Sequence, residues 1–312
     1  MKRMNCLICY KPLGEMDVDY HPKCCKSFFG TNKVPLIDLD EDRLNEKALE
    51  IIRAKGALTG VQPKLSLNIE KSKESIRFTV VDEKSQFIIK PQSKSFVSLP
   101  ENEDLSMHLA NELNIEVAKH TLIRLGSGNL AYLTKRFDRN KNKKIATEDL
   151  CQLSESLTEQ KYRGSYEKTG KVIRKYSSQS GLDVLSFFQL VVFSYVIGNS
   201  DMHLKNFSMY EKSDAIFCLS PAYDLLSTHL VLKDETEQLS LSLNGKRNKF
   251  SKIDFEKLAE NLLLSPKQIH YSFELFHKKR EKLVLWIENS FLSDELKNEY
   301  LTLLEKRIEE LK

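Results

Sequence analysis

The stretch from Phe187 to Ile197 is apolar on nearly every side of a helix, interrupted only by Gln189, Ser194 and Tyr195. A helix that is apolar all round cannot lie on a surface, so the rest of the chain has to wrap it in further apolar elements. The run is too short and too often interrupted to span a bilayer. A chain of 312 residues is long enough to enclose it, and length alone suggests one two-lobed unit or two domains.

Upstream the periodicity is different. Lys64 to Ile69 alternates, Arg77 to Val81 is rich in β-branched residues, and Gln86 to Lys90 is an apolar run that stops at Pro91. His120 to Leu125 and Leu130 to Thr134 are joined through Gly126, Ser127, Gly128 and Asn129, a turn signal. A helix is expected from about Glu101 to Leu113, opened by carboxylates that suit the positive end of its dipole, and Asp38 to Lys55 has helical spacing. Beyond Phe137 the chain reads as mostly helical, with a polar stretch from Ser154 to Ser180 taken as a surface excursion. Ser293 caps a last helix whose apolar stripe is too short for a coiled coil. Strands before helices make an α+β fold, a strand-rich lobe over residues 1–136 and a helical lobe over 137–312.

Composition closes off several classes of function. The chain is 41% hydrophobic and 29% charged, and 48 basic residues against 44 acidic ones leave a net charge of only +4. That excess is too small to argue for direct nucleic-acid binding. Met1 to Cys6 is not followed by an apolar run, so a cytoplasmic protein without membrane attachment is expected.

The chemistry is concentrated in Gly198-Asn-Ser-Asp-Met-His-Leu-Lys-Asn206, where Asp201 and Asn206 are separated by four residues. This is the spacing of a protein-kinase catalytic loop: the Asp accepts the proton of an attacking hydroxyl, and the Asn reaches a metal that bridges the phosphates. A hairpin predicted across Glu211 to Asp214 returns the chain to Asp224, where a kinase places its second metal ligand. Asp and Asn are also common turn residues, so the motif needs partners. Lys90 ends a strand and Glu103 opens the following helix, as in the kinase pair of strand lysine and helix glutamate. Gly56 and Gly60 lie in Gly56-Ala-Leu-Thr-Gly-Val-Gln-Pro-Lys64, where backbone amides can approach phosphate oxygens. The order is glycine loop, Lys, Glu, a linker over Tyr132 to Phe137, Asp and Asn, then Asp.

In this order, and in Phe87-Ile-Ile-Lys-Pro91, Lys135-Arg-Phe-Asp-Arg139, Glu148-Asp-Leu-Cys-Gln152 and Pro221-Ala-Tyr-Asp-Leu-Leu226, the sequence from about Gly56 onward resembles the HipA-type serine/threonine kinases, toxins of bacterial toxin–antitoxin modules. It most resembles the short HipT form, which lacks an additional N-terminal subdomain. The resemblance implies a two-lobed, protein-kinase-like fold with ATP and Mg²⁺ as cofactors. Asp201 is then the catalytic Asp, Asn206 and Asp224 hold Mg²⁺, and Lys90 contacts the ATP phosphates with Glu103 as its partner. Thr59, Gly60, Val61, Gln62 and Lys64 form the phosphate-facing loop, while Lys135, Arg136 and Phe137 form the hinge for adenine. His203 and Lys205 steady phosphate or the loop itself; a packed imidazole and an exposed lysine are the plainer reading. The implied partners are a HipB-like helix-turn-helix antitoxin, a small HipS-like protein, and a protein substrate of the aminoacyl-tRNA synthetase class.

By the resemblance, the family often carries serine at the position of Ala57 and sometimes at that of Thr59, where autophosphorylation reshapes the glycine loop. Ala57 cannot accept phosphate, which makes Thr59 the expected regulatory site. A pseudokinase that holds ATP or an antitoxin without turnover is the alternative, as is a zinc-stabilised nucleic-acid binder. The complete set of Lys90, Glu103, Asp201, Asn206 and Asp224 speaks against the first, and the small net charge against the second.

Cys6-x2-Cys9 followed by His21-x2-Cys24 has the ligand types and spacing of a tetrahedral Zn²⁺ site, with Cys25 as an alternative fourth ligand. A plug of buried thiols is the competing reading. It is the preferred expectation here, because the kinase core of the family needs no zinc.

Overall fold

Alternation along the early strands builds an antiparallel sheet. The computed structural model describes residues 5–37, 40–54, 63–72, 75–81, 85–140 and 143–312. Among these, the chain divides into two compact units: residues 1–104, 118–144 and 289–291, and residues 105–117, 145–288 and 292–312.

The first unit begins with a Cys-rich segment leading into α1 (Pro22–Phe29), then α2 (Glu41–Ala54). Strands β1 (Leu65–Lys71), β2 (Ile76–Val80) and β3 (Phe87–Lys90) follow. Helix α3 (Leu99–Glu112) starts in this unit, and β4 (His120–Arg124) and β5 (Leu130–Lys135) complete a sheet of order β2-β1-β3-β5-β4. A short hairpin, β6 (Arg139–Asn140) and β7 (Lys143–Lys144), ends it. The period of two sorts the side chains. Phe87 and Ile89 of β3, with Ala131 and Leu133 of β5, enter a core with Leu7, Phe28, Phe29, Leu44 and Ala48. Ile88 and Lys90 therefore belong to the other face, where Lys90 stands opposite Tyr132 in the register.

The second unit is built on β8 (Thr147–Asp149), α4 (Leu150–Leu153), α5 (Tyr166–Tyr176) and α6 (Ser180–Val196). Then come β9 (Ser208–Ser213), β10 (Ile216–Leu219), α7 (Lys252–Asn261), α8 (Pro266–Glu288) and α9 (Asp294–Glu309). Helix α6 is the expected central helix: Phe187, Phe188, Val191, Val192, Tyr195 and Val196 are all fully buried. Strands β8, β9 and β10 pair antiparallel in the order β10-β9-β8, with the predicted hairpin between β9 and β10. Ser293 caps α9 by accepting a hydrogen bond from the Leu296 N–H.

The surface excursion expected over Ser154 to Ser180 is corrected by α5. Its polar residues hid a narrow inward stripe of Tyr166, Thr169, Gly170 and Ile173, all buried, while Tyr162 and Tyr176 stay exposed. Gly170 permits this packing, since a Cβ there would lie 2.2 Å from Leu262. Among the described residues no helix is long and apolar enough to cross a membrane.

Candidate active site

In the second unit, α6 delivers the chain to Gly198, whose φ of +70° turns it into the loop. A left-handed residue is cheap only for glycine, and a Cβ here would also approach Leu303 to 2.7 Å and His229 to 3.1 Å. The loop is then braced at each step. The Asn199 side-chain oxygen accepts from the Asp201 N–H at 3.0 Å, and Thr228 Oγ1 accepts from the Ser200 N–H at 2.8 Å. Thr228 in turn donates to the Gly198 carbonyl at 2.9 Å. The Met202 carbonyl accepts from the Tyr166 hydroxyl at 3.1 Å. Asn206 Nδ2 donates to the Asp201 carbonyl at 2.9 Å, closing the loop across the four intervening residues and leaving the amide oxygen of Asn206 for another role.

The Asp201 carboxylate is itself engaged by a hydroxyl: Tyr162 donates to its Oδ1 at 2.7 Å. Burial, then this contact with Asp201, pushes the Tyr162 phenol well above its ordinary pKa. Tyr162 also meets the His203 ring edge-on, with centroids 5.0 Å apart. Burial pulls His203 below the usual histidine range, although the charges of Asp201 and Asp224 pull the other way. The imidazole is therefore neutral near pH 7, and among the described residues its buried Nδ1 has no hydrogen-bond partner. A buried nitrogen of this kind near two carboxylates marks the loop as a candidate site.

Asp224 adopts φ 55°, a left-handed backbone that costs a non-glycine residue about 1–3 kcal/mol and is concentrated at functional sites. Next to it, the Tyr223 hydroxyl donates to the Lys205 carbonyl at 2.9 Å and lies 2.6 Å from Ser208 Oγ. Lys205 Nζ donates to Asp149 Oδ2 at 2.6 Å, and Asp149 also caps α4 by accepting from the Gln152 N–H. The lysine thus ties the loop to a helix start.

In the first unit, Lys90 Nζ and Glu103 Oε1 are 2.7 Å apart, with side-chain exposures of 6% and 2%. The ammonium lies 5.5 Å from the centre of the Tyr132 ring. Beside Glu103, Asp104 accepts from the Tyr10 hydroxyl at 2.7 Å, and its other oxygen takes His120 Nδ1 at 2.7 Å. Two buried carboxylates in sequence, each held by its own partner, fix the start of α3.

A strand-rich unit with a buried Lys–Glu pair, and a helical unit with a braced loop joining Asp201 to Asn206, are the parts of a kinase-like fold. A family profile for the HipA-like C-terminal domain matches residues 56–282. The chain belongs to this family. Relatives of the HipA-like domain include the candidate kinase Y4dM of Sinorhizobium fredii, 34% identical over 228 residues that make up 68% of this chain and 55% of that protein. A candidate kinase of Haemophilus influenzae is 26% identical over 238 residues, 67% of this chain and 68% of its own. This chain thus spans little more than half the length of the Sinorhizobium relative. Among solved structures, HipA of Shewanella oneidensis MR-1, in complex with HipB and operator DNA, superposes with a TM-score of 0.66 at 19% identity, over 84% of this chain and 70% of that one. The Helicobacter pylori proinflammatory kinase CtkA gives 0.52 at 15% identity, over 78% and 92%. The fold is that of a HipA-like, two-lobed kinase.

Of the residues expected on a nucleotide by resemblance to HipA, Thr59, Gly60, Val61 and Gln62 lie outside the described residues, as does Ala57. Lys64 is exposed just ahead of β1. Lys135 ends β5 with Nζ 5.9 Å from the Phe87 ring. Burial, and then the charge of Lys119, lower its pKa. Arg136 makes a two-pronged pair with Asp138, at 2.9 and 2.7 Å, and Phe137 between them is half-buried. Sequence reasoning missed Tyr162, Asp149 and Thr228. Asp149 stands inside a motif that carries the family resemblance, whereas nothing in the spacing of Tyr162 and Asp201 signals that they meet.

Proposed function

We propose that the protein is an ATP- and Mg²⁺-dependent serine/threonine kinase that transfers the γ-phosphoryl group to a protein hydroxyl. The observation that carries this reading is the 2.7 Å hydrogen bond from a hydroxyl to Asp201 Oδ1. Tyr162 there stands in for an acceptor hydroxyl, in the arrangement a base needs to orient and deprotonate a serine or threonine. The amide oxygen of Asn206 and the carboxylate of Asp224 are hard oxygen donors of the kind magnesium prefers, so the residues present fit the metal. When bound, Mg²⁺ supplies neutralisation of the phosphate charge. Lys90, paired with Glu103, would take the phosphates, and the Lys135 to Phe137 backbone would receive adenine. Neutral His203 would offer its orphaned nitrogen to a polar group of the bound reactants.

The finer reading follows the family. The protein would act as the toxin of a HipBST-like module, blocked by a HipB-like antitoxin and a HipS-like partner, and would halt translation by modifying a protein such as an aminoacyl-tRNA synthetase. The Shewanella complex supports a HipB-like partner by its fold alone. Thr59 is retained as the candidate site of self-modification.

The test is incubation of the full chain with Mg²⁺ and γ-labelled ATP, with and without a cell extract, beside Asp201→Asn. Label transferred by the wild type and lost by at least about a hundred-fold in the variant is the expected result for loss of a catalytic base. Equal labelling by both, or none by either, defeats the reading. ATP binding without any transfer would favour a nucleotide-holding module.

A further inference from the structure

The N-terminal cysteines are not explained by phosphoryl transfer. Cys6, Cys9, His21 and Cys24 each direct one ligand atom into a common space, and these four atoms all lie within 4.8 Å of one another. His21 Nδ1 is 3.4 Å from Cys9 Sγ and 3.9 Å from Cys24 Sγ. A tetrahedral zinc centre, with metal–sulfur bonds of about 2.3 Å and metal–nitrogen bonds of about 2.0 Å, has sulfur–nitrogen edges of about 3.5 Å. The two observed separations bracket that edge.

The backbone is arranged for the same end. Cys6 and Cys9 sit on a tight reversal in which the Cys6 N–H donates to the Lys11 carbonyl and the Tyr10 N–H to the Cys6 carbonyl, both at 2.9 Å. Tyr10, directly after Cys9, accepts a left-handed φ of 56° to make that turn. His21 and Cys24 come from the start of α1, one helical turn apart, with His21 at the N-cap. The other ring nitrogen, His21 Nε2, donates to the Pro12 carbonyl at 3.0 Å. That bond fixes the tautomer and leaves the Nδ1 lone pair toward the sulfurs, the second-sphere arrangement typical of metal-bound histidine.

We propose that Cys6, Cys9, Cys24 and His21 form a Cys₃His zinc site that fastens the N-terminal segment to the strand-rich unit. Three soft sulfur donors and one imidazole select zinc over magnesium or calcium. Metal binding displaces three thiol protons, and three thiolates around one divalent ion leave the site with a single negative charge. Cys25 is not among the residues whose ligand atoms converge; it is buried beside Phe28 and Phe29. The segment closed by this site is the one that supports the sheet and α3. The Leu7 carbonyl accepts from Thr121 Oγ1 at 3.1 Å, the Tyr20 hydroxyl donates to the Leu122 carbonyl at 2.6 Å, and Tyr10 holds Asp104 beside Glu103. Zinc would therefore pre-set the footing of the Lys90–Glu103 pair.

The experiment is elemental analysis of the full chain purified under reducing conditions without chelator, together with titration of Co²⁺ into the metal-free protein. We expect about one zinc per chain, reduced to background in Cys9→Ser and Cys24→Ser but retained in Cys25→Ser. Should the serine variants fail to fold, the wild type and His21→Cys decide: Co²⁺ should give the wild type the intense visible bands and sulfur charge transfer of a tetrahedral thiolate centre, and His21→Cys should shift those bands. No zinc together with a weak octahedral cobalt spectrum overturns the proposal. So does zinc that persists undiminished in folded Cys9→Ser and Cys24→Ser proteins.

Discussion

The Tyr162 hydroxyl donates to Asp201 Oδ1 at 2.7 Å, so the carboxylate proposed as base already holds a hydroxyl group from its own chain. An incoming serine or threonine has to displace it. A hydrogen bond to a charged group contributes about 1.5–3 kcal/mol. Part of that cost falls on every substrate encounter, and Tyr162→Phe is expected to raise kcat/KM for phosphoryl transfer by about three- to ten-fold. Initial rates with labelled ATP check this. A fall in kcat would instead make Tyr162 one of the groups that orient substrate.

The buried Lys90–Glu103 pair predicts a separation of stability from binding. Lys90→Met removes the cation at 2.7 Å from a carboxylate with almost no access to water, and breaking one side of such a pair costs about 3–5 kcal/mol. Urea denaturation should show this loss. Lys90→Met combined with Glu103→Leu should recover much of it, because a matched apolar pair leaves no buried charge exposed to the loss. Neither variant should bind ATP as the wild type does, which calorimetric titration would register.

Gly198→Ala tests the entry to the catalytic loop. The positive φ and the 2.7 Å approach to Leu303 act together. Backbone strain and overpacking should lower stability by about 2–4 kcal/mol. Thermal unfolding would show a clear fall in Tm, with activity lost in proportion at temperatures where the wild type is still folded.

Asp254 sets an acid limit. Burial alone would raise its pKa, but donors from Asn244 at 2.8 Å, Lys246 at 2.9 Å and the Ser251 N–H at 2.9 Å overcome that and hold it at about 2. A folded pKa below the unfolded value of 3.8 contributes stability above pH 3.8 and loses it as pH falls toward 2. The contribution at neutral pH is about 2 kcal/mol. Asp254→Asn should be less stable than the wild type by this amount at pH 7, and the gap should close between pH 5 and about 2 in denaturant titrations across pH.

What could be read from sequence follows from how each contact is encoded. Strand alternation announced β3 and β5, and the all-apolar run announced α6, because burial on one or all sides is a local property of the chain. The spacing of Asp201 and Asn206 could be read from sequence because the loop closes on itself between these two residues. Helix α5 could not, since only Tyr166, Thr169, Gly170 and Ile173 face inward and its remaining face is charged. Tyr162 escaped because 39 residues separate it from Asp201 and only tertiary folding joins them. The spacings Cys6-x2-Cys9 and His21-x2-Cys24 were visible in the sequence, but not that the four residues converge. The fold supplied the rest by setting the start of α1 against the turn at Cys9.

The bond from Asn206 Nδ2 to the Asp201 carbonyl makes a closed ring of backbone and side chain. A ring of this kind has no slack. Adding or deleting one residue between Asp201 and Asn206 cannot be absorbed as it would be in an open surface turn, and an aspartate at 206 would keep an oxygen for metal yet set it against the carbonyl that the amide now holds. Sequence drift in distant relatives can therefore change Met202 and Leu204 for other buried side chains, whereas the interval and the amide have to be inherited together.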